Sequence, residues 1–311
     1  LIAKGQMPAL KKMIDQGVYG NMSTMNPPYS PMLWTSVVTG KTPDKHGVLG
    51  FVEIMPDLEG VRPVTSNSRK SRTVWNILHN KGYKSNLVGW WPSYPVEPIN
   101  GVVISDKYQK VSPDPKKQSP LADDAIHPKS AREDFLDLRM FPFEVTKEHI
   151  LPFIPNAGKI DQDKDKALIP FSRMLAHNVS VHNAATKLLR TSEWDFMCVY
   201  YDLIDHFCHT YMKYHPPKLP QVSQEDYDMY KDVVVGAYRF QDMMLERTLE
   251  LIDADTTVIV MSDHGFESGH KRIIDMPKVQ AAPALEHRQF GMFVAMGPDI
   301  KKNEKVFGLG L

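Results

Sequence analysis

Only two cysteines, Cys198 and Cys208, occur in 311 residues, which excludes a disulfide framework. Neither sign of charge is in excess, with 37 Lys+Arg against 37 Asp+Glu, so bulk electrostatics indicate no nucleic-acid or anionic-membrane partner. No apolar run approaches the roughly 20 residues that a membrane-spanning helix needs. Internal repeats are absent. The first residue is Leu1, with no initiator Met or leader-like segment, so the sequence leaves the compartment open. Leu1 falls inside a segment and the far end, GLGL, shows no closing element; the chain reads as an internal piece of a longer protein.

What is present suits a globular protein. A hydrophobic content of 42% with 24% charged residues can build one large domain or two smaller ones. Along the chain, strand and helix patterns alternate. Residues 7–17 (MPALKKMIDQG) form an amphipathic helix pattern opened by Pro8 and closed by Gly17. VYGNMSTM reads as a strand, and LWTSVVTG as a buried helix ending at Gly40. A helix pattern runs from Thr73 to Gly82, followed by the short strands KSNLVGW and GVVIS. From 110 to 170 the texture changes to Pro, Lys and Asp with weak periodicity, which predicts an inserted cap or lid. Regular structure returns with the helix FSRMLAHNVSVHNAATKLLR and the strand DFMCVYY. A long helix is expected from Glu225 to Ile252, then the strands TTVIVM and QFGMFVAMG. The order predicts an α/β fold: a mostly parallel sheet with helices on both faces. The catalytic domain would comprise 1–109 and 171–311, with 110–170 as the insertion.

In such sheets ligands gather at the carboxyl ends of strands, and three polar clusters lie close to strand ends. Asp205 and His209 follow DFMCVYY and stand four residues apart, on one face of a helix. Asp263 and His264 follow TTVIVM, with Gly265 permitting a sharp turn. His287 precedes QFGMFVAMG. Each has an ordinary reading: a solvated pair on a helix, a loop cap, a polar strand entry. Together they supply two carboxylates and three imidazoles, a donor set suited to zinc-like divalent ions.

The segment PYSPMLWTSVVTGKTPDKHG places Ser30 before a buried helix. Serine is a common N-cap. It is also a nucleophile once a cation lowers its pKa, and two ions about 3.5–4 Å apart can serve attacking and leaving oxygens together. His46, in PDKHG, reads as a turn-stabilising residue, whereas His206 and His270 have no role legible from sequence. Trp90, Trp91 and Tyr94 read as core packing, with stacking on a substrate group as the alternative.

Six segments in the same order resemble the type I phosphodiesterase/nucleotide pyrophosphatase family of the alkaline phosphatase superfamily. They are MPALKKMIDQG, YSPMLWTSVVTGKTPDKHG, VGWWPSYP, WDFMCVYYDLIDHFCH, VIVMSDHGF and HRQFGMFVAMGPDI, and they span nearly the whole chain. The resemblance implies an alkaline phosphatase-like fold and a binuclear site. Asp205, His209 and His287 would hold one divalent ion. Asp263 and His264 would hold the other, with Ser30 bridging as nucleophile; zinc is the expected metal and manganese the alternative. One further family ligand, an Asp ending a first strand just before the MPALKKMIDQG helix, belongs to a segment this sequence does not contain. The implied activity is hydrolysis of a small-molecule phosphate ester through a phosphoseryl intermediate. A phosphomonoesterase, a phosphoryl transferase or a non-catalytic relative on the same scaffold are the alternatives. The sequence departs from many nucleotide pyrophosphatases at two positions, carrying Ser30 where they have Thr and Leu33 where they have a phosphate-contacting Asn. A sulfatase motif, with Arg four residues after the nucleophile, is absent.

Overall fold

The computed structural model describes residues 1–109, 114, 117–279 and 282–311. Two four-stranded sheets form its α/β body. In the first, Val18–Ser23 lies between Phe290–Met296 and Glu304–Gly310, and Val258–Met261 pairs with the outer side of Phe290–Met296. In the second, Ser85–Val88 lies between Val103–Ile104 and Phe196–Val199, and Ile126–His127 closes the far edge.

The expectation of a mostly parallel sheet is corrected to a mixed arrangement. Ser85–Val88 pairs in parallel with both of its neighbours, but Phe290–Met296 runs antiparallel to both Val18–Ser23 and Val258–Met261. The cause is the connection. Among the described residues no crossover helix separates Val258–Met261 from Phe290–Met296; the chain turns back through the small ladder of Gly265–Phe266 with His287–Arg288. A return without a crossover helix reverses strand direction. The amino end of Phe290–Met296 therefore lies at the same edge of the sheet as the carboxyl end of Val258–Met261.

Most helices fall where the patterns place them. Pro8–Gln16 buries Ala9, Leu10 and Met13, and its first turn is capped from a distance: Asp242, itself buried, accepts the backbone N–H groups of Ala9 (3.0 Å) and Leu10 (2.8 Å). Those donors have no partner within the helix, and a carboxylate answers both the hydrogen bonds and the helix dipole. Thr73 caps Val74–Asn80 reciprocally with Asn76. The single long helix expected from Glu225 to Ile252 is instead two, Gln224–Tyr230 and Val233–Leu251, interrupted at Lys231 and Asp232. The chain's far end does close an element. Glu304–Gly310 pairs in parallel with Val18–Ser23, a strand hidden from sequence reading by its two glycines and two charged residues.

The stretch 110–170 begins outside the described residues, at 110–113 and 115–116. Its described part packs on the body through strand pairing and shared apolar clusters. It supplies the edge strand Ile126–His127, and Phe135, Leu121 and Ala125 share an apolar cluster with Val181, Ala184 and Leu188 of the helix Leu168–Thr191. Ile150, Phe153 and Ile154 pack with Leu203, Phe207 and Val233. Among the described residues no helix is long and apolar enough to cross a membrane.

Candidate functional site

The six residues singled out from sequence converge at one edge of the first sheet. Ser30 opens the helix Ser30–Thr39, reached by a loop from the carboxyl end of Val18–Ser23. Asp263 and His264 leave the carboxyl end of Val258–Met261. Asp205 and His209 share a face of Leu203–Tyr211, and His287 arrives on the returning ladder. The antiparallel direction of Phe290–Met296 is what brings His287 there.

Asp205 Oδ1 stands among three imidazoles, 3.5 Å from His209 Nε2, 3.6 Å from His264 Nε2 and 3.8 Å from His287 Nε2. His264 Nε2 also lies 3.6 Å from Asp263 Oδ2 and 3.4 Å from Ser30 Oγ. These contacts are too long to be good hydrogen bonds, and both Asp205 Oδ1 and Asp263 Oδ2 are buried with no hydrogen-bond partner. Two orphaned carboxylate oxygens in one pocket need a counter-charge.

The imidazole tautomers follow from the other ring nitrogens. His209 Nδ1–H donates to Glu286 Oε2 at 2.5 Å, His287 Nδ1–H to the Pro28 carbonyl at 3.1 Å, and His264 Nδ1–H to the Gly265 carbonyl at 3.2 Å. All three Nε2 atoms therefore face the pocket, and each is an acceptor when its ring is neutral. His209 Nε2 and His287 Nε2 are 3.1 Å apart. Two lone pairs at that distance repel unless a proton or a cation lies between them.

With no metal, a proton fills that role. Burial opposes charge on His209, but the carboxylates of Asp205 and Glu286 outweigh it and push its pKa up to about 9. Burial, helped by the neighbouring His264, pulls His287 down to about 4. A charged His209 then donates to a neutral His287. Burial, with Asp205 adding to it against the opposing His264, holds Asp263 above the usual carboxylate range. Asp205 falls below that range, because His209 overcomes the cost of burying it.

Ser30 is 9% exposed, and its Oγ faces His264 rather than capping the helix, whose N-cap position is Tyr29. The cap reading is thus unsupported. Gly265 is there for a reason other than the expected sharp turn: a Cβ would sit 2.6 Å from the Phe290 carbonyl, so glycine permits the close approach of the chain to the start of the strand Phe290–Met296. His46 behaves as expected of a turn residue. It is fully buried, receives the Val48 N–H on Nδ1 (3.1 Å) and pairs through Nε2 with Ser36 Oγ (2.9 Å). His206 is exposed and lies 3.3 Å from Asp202, outside the pocket, and His270 is exposed on the turn Gly269–Lys271. Trp90 is core, edge-on to Trp34 and Trp75. Neither cysteine competes as a nucleophile, since burial raises both thiols well above their ordinary pKa. Glu286 was not legible beforehand. Its only sequence signal is an acidic residue directly before His287.

The fold is a mixed α/β one shared with a solved structure described as a putative sulfatase. A putative sulfatase from Bacteroides thetaiotaomicron VPI-5482 superposes with a TM-score of 0.51 at 12% identity, over 97% of this chain and 62% of that one. Residues 1–307 match the family described as Type I phosphodiesterase / nucleotide pyrophosphatase, and the chain belongs to that family of hydrolytic phosphoesterases. Phosphonoacetate hydrolase from Sinorhizobium meliloti 1021, solved with phosphonoformate, is similar at 18% identity and a TM-score of 0.48, over 86% of this chain and 52% of that one. Human ectonucleotide pyrophosphatase / phosphodiesterase 5 is similar at 10% identity and a TM-score of 0.47, over 98% and 86%. The chain spans about half the length of the phosphonoacetate hydrolase structures it matches. No protein of curated function matches the sequence.

Proposed function

We propose that this protein hydrolyses phosphoric esters with Ser30 as the nucleophile and two divalent ions as cofactors. Asp205, His209 and His287 hold one ion; Asp263 and His264 hold the other together with Ser30. The observation that carries the reading is the pair of orphaned oxygens facing three Nε2 lone pairs, two of them 3.1 Å apart. Such an array is unfavourable when empty and complementary to cations. One ligand atom each from Asp205, His209 and His287 lies within 4.8 Å of the others. A carboxylate with two imidazoles favours zinc over magnesium or calcium, with manganese as the alternative.

When bound, the ions make the serine hydroxyl acidic and neutralise charge on the phosphoryl oxygens and the leaving group. Ser30 Oγ attacks phosphorus, the P–O bond to the leaving group breaks, and a seryl phosphate ester forms. Water then cleaves the new P–O bond and restores the serine. His209, His264 and His287 present Nε2 because Glu286, Gly265 and Pro28 hold their Nδ1 protons, and the Pro28 contact also ties His287 to the loop that carries Ser30. Leu33 is fully buried in the hydrophobic core, so position 33 offers the phosphate no polar contact. The reading therefore favours a small phosphodiester or phosphomonoester without commitment to a nucleotide. The test is a panel of p-nitrophenyl phosphate, bis-p-nitrophenyl phosphate and a nucleotide ester with added zinc or manganese. Metal-dependent turnover of at least one is expected. A protein that takes up metal but turns over none of them contradicts the assignment and leaves the non-catalytic relative.

A further inference from the structure

Glu286 ends the short turn Ala282–Glu286, directly before His287, and its carboxylate is 11% exposed. Its side chain meets His209 Nδ1 at 2.5 Å, and no lysine or arginine lies within ion-pair distance of it among the described residues. A buried carboxylate whose charge partner is one imidazole is a poor device for stability, because the cost of desolvating it is incompletely offset. It is a good device for orienting a ring. The backbone helps: the Glu286 carbonyl accepts the Glu267 N–H at 2.7 Å, which fixes the residue against the strand that follows His264.

The three imidazoles are held unequally. His264 and His287 give their Nδ1 protons to neutral carbonyls, whereas His209 gives its proton to a carboxylate. Charge-assisted hydrogen bonds are shorter and stronger than neutral ones. A ring anchored in this way cannot flip to present Nδ1, and electron density shifted toward Nε2 makes it the firmest donor of the three.

We propose that Glu286 is a positioning residue for His209: it fixes the ring with Nε2 turned into the pocket and strengthens that nitrogen as a donor to the ion shared with Asp205 and His287. The inference rests on the ligand assignment above. Its consequence is that the ion at Asp205, His209 and His287 is held more firmly with Glu286 in place than after its replacement.

The experiment is zinc binding by equilibrium dialysis on the full-length parent, Glu286→Gln, Glu286→Ala and His209→Ala proteins. It is read alongside the imidazole nitrogen NMR signals of His209 in the zinc-loaded parent and Glu286 variants. Glutamine keeps an acceptor for Nδ1–H and loses only the charge, so a graded loss is expected: about 10-fold weaker binding at this one site for Glu286→Gln and nearer 100-fold for Glu286→Ala. In Glu286→Ala, part of the His209 population should carry zinc on Nδ1. A merely structural Glu286 would alter thermal stability without changing the metallated nitrogen or the affinity of the folded protein. If Glu286→Ala does not fold, the isosteric glutamine variant decides. Folded Glu286→Gln with the parent's zinc affinity overturns the proposal. A parent whose zinc binding is unaffected by His209→Ala overturns the ligand assignment itself, a separate and distinguishable failure.

Discussion

Replacing Asp263 by Asn should stabilise the metal-free protein while removing its response to zinc. Asp263 is 7% exposed, and its Oδ2 is buried without a hydrogen-bond partner, 3.6 Å from His264 Nε2. An unsatisfied buried polar group costs about 1–3 kcal/mol. The pH dependence has a definite sign. Burial raises the carboxyl pKa in the folded state, so the unfolded chain loses this proton first as pH rises. Stability attributable to Asp263 is therefore present below the ordinary carboxylate pKa of about 3.9 and lost as pH climbs through and above it. Near neutral pH, Asp263→Asn relieves that cost. At about 2 °C per kcal/mol for a chain of this size, the melting temperature in chelator should rise by about 2–6 °C. Excess zinc reverses the order. An ion present at 1,000 times its dissociation constant stabilises the parent by about 4 kcal/mol per site, and the variant loses the contribution of the Asp263 site. Calorimetric melts of both proteins in chelator and in zinc provide the assay. An Asp263→Asn protein that melts below the parent in chelator would show that Asp263 is not an unsatisfied buried charge, and one that gains as much from zinc as the parent would show that it holds no ion.

Other outcomes follow from the same geometry. His209→Ala or His287→Ala should each release one ion and leave the other partly bound; elemental analysis showing unchanged stoichiometry in both would remove these ligands. His46 is fully buried with its pKa lowered by burial and by Arg69, so the unfolded chain binds its proton more readily. Stability should fall as pH drops below about 6.5, and His46→Gln should flatten that slope in thermal melts made in chelator. Asp242→Ala leaves the N–H groups of Ala9 and Leu10 without their acceptor and should cost about 2–3 kcal/mol in denaturant unfolding, with metal binding by the folded fraction unchanged. Zinc uptake should also weaken at acid pH, since protonated imidazoles do not bind metal; dialysis at about pH 5 and pH 7.5 checks it.

Much of the site was legible because its residues lie where strand patterns end. TTVIVM followed by Asp263 and His264, and DFMCVYY followed by Asp205 and His209, announce a strand edge with donors on it, and the structure brings them together. His287 was harder. Its place before a strand puts it at the wrong edge of a parallel sheet, and only the reversal of Phe290–Met296 brings it to the pocket. That reversal depends on the short ladder at Gly265–Phe266, too brief to leave a periodic signal. Glu286 escaped for a related reason: its partner His209 is 77 residues away, and no local pattern encodes a contact of that separation. The terminal strand Glu304–Gly310 was hidden by its composition. The interruption at Lys231 and Asp232 falls inside a pattern that reads as continuously helical. The stretch 110–170 was judged by its polar texture, whereas apolar residues spread through it, Phe135, Ile150 and Phe153 among them, join the core clusters.

In the mechanism proposed above, Ser30 becomes covalently bound to phosphorus during turnover. The direct measurement is rapid acid quench of the full-length, zinc-loaded protein with a chromogenic phosphate ester, followed by peptide mass mapping. A phosphoryl adduct is expected on the peptide containing Ser30, formed at least as fast as steady-state turnover and absent from Ser30→Ala, which should be folded, metal-binding and inactive. Near-normal kcat in Ser30→Ala, or turnover by the parent with no adduct on that peptide at any quench time, would contradict it.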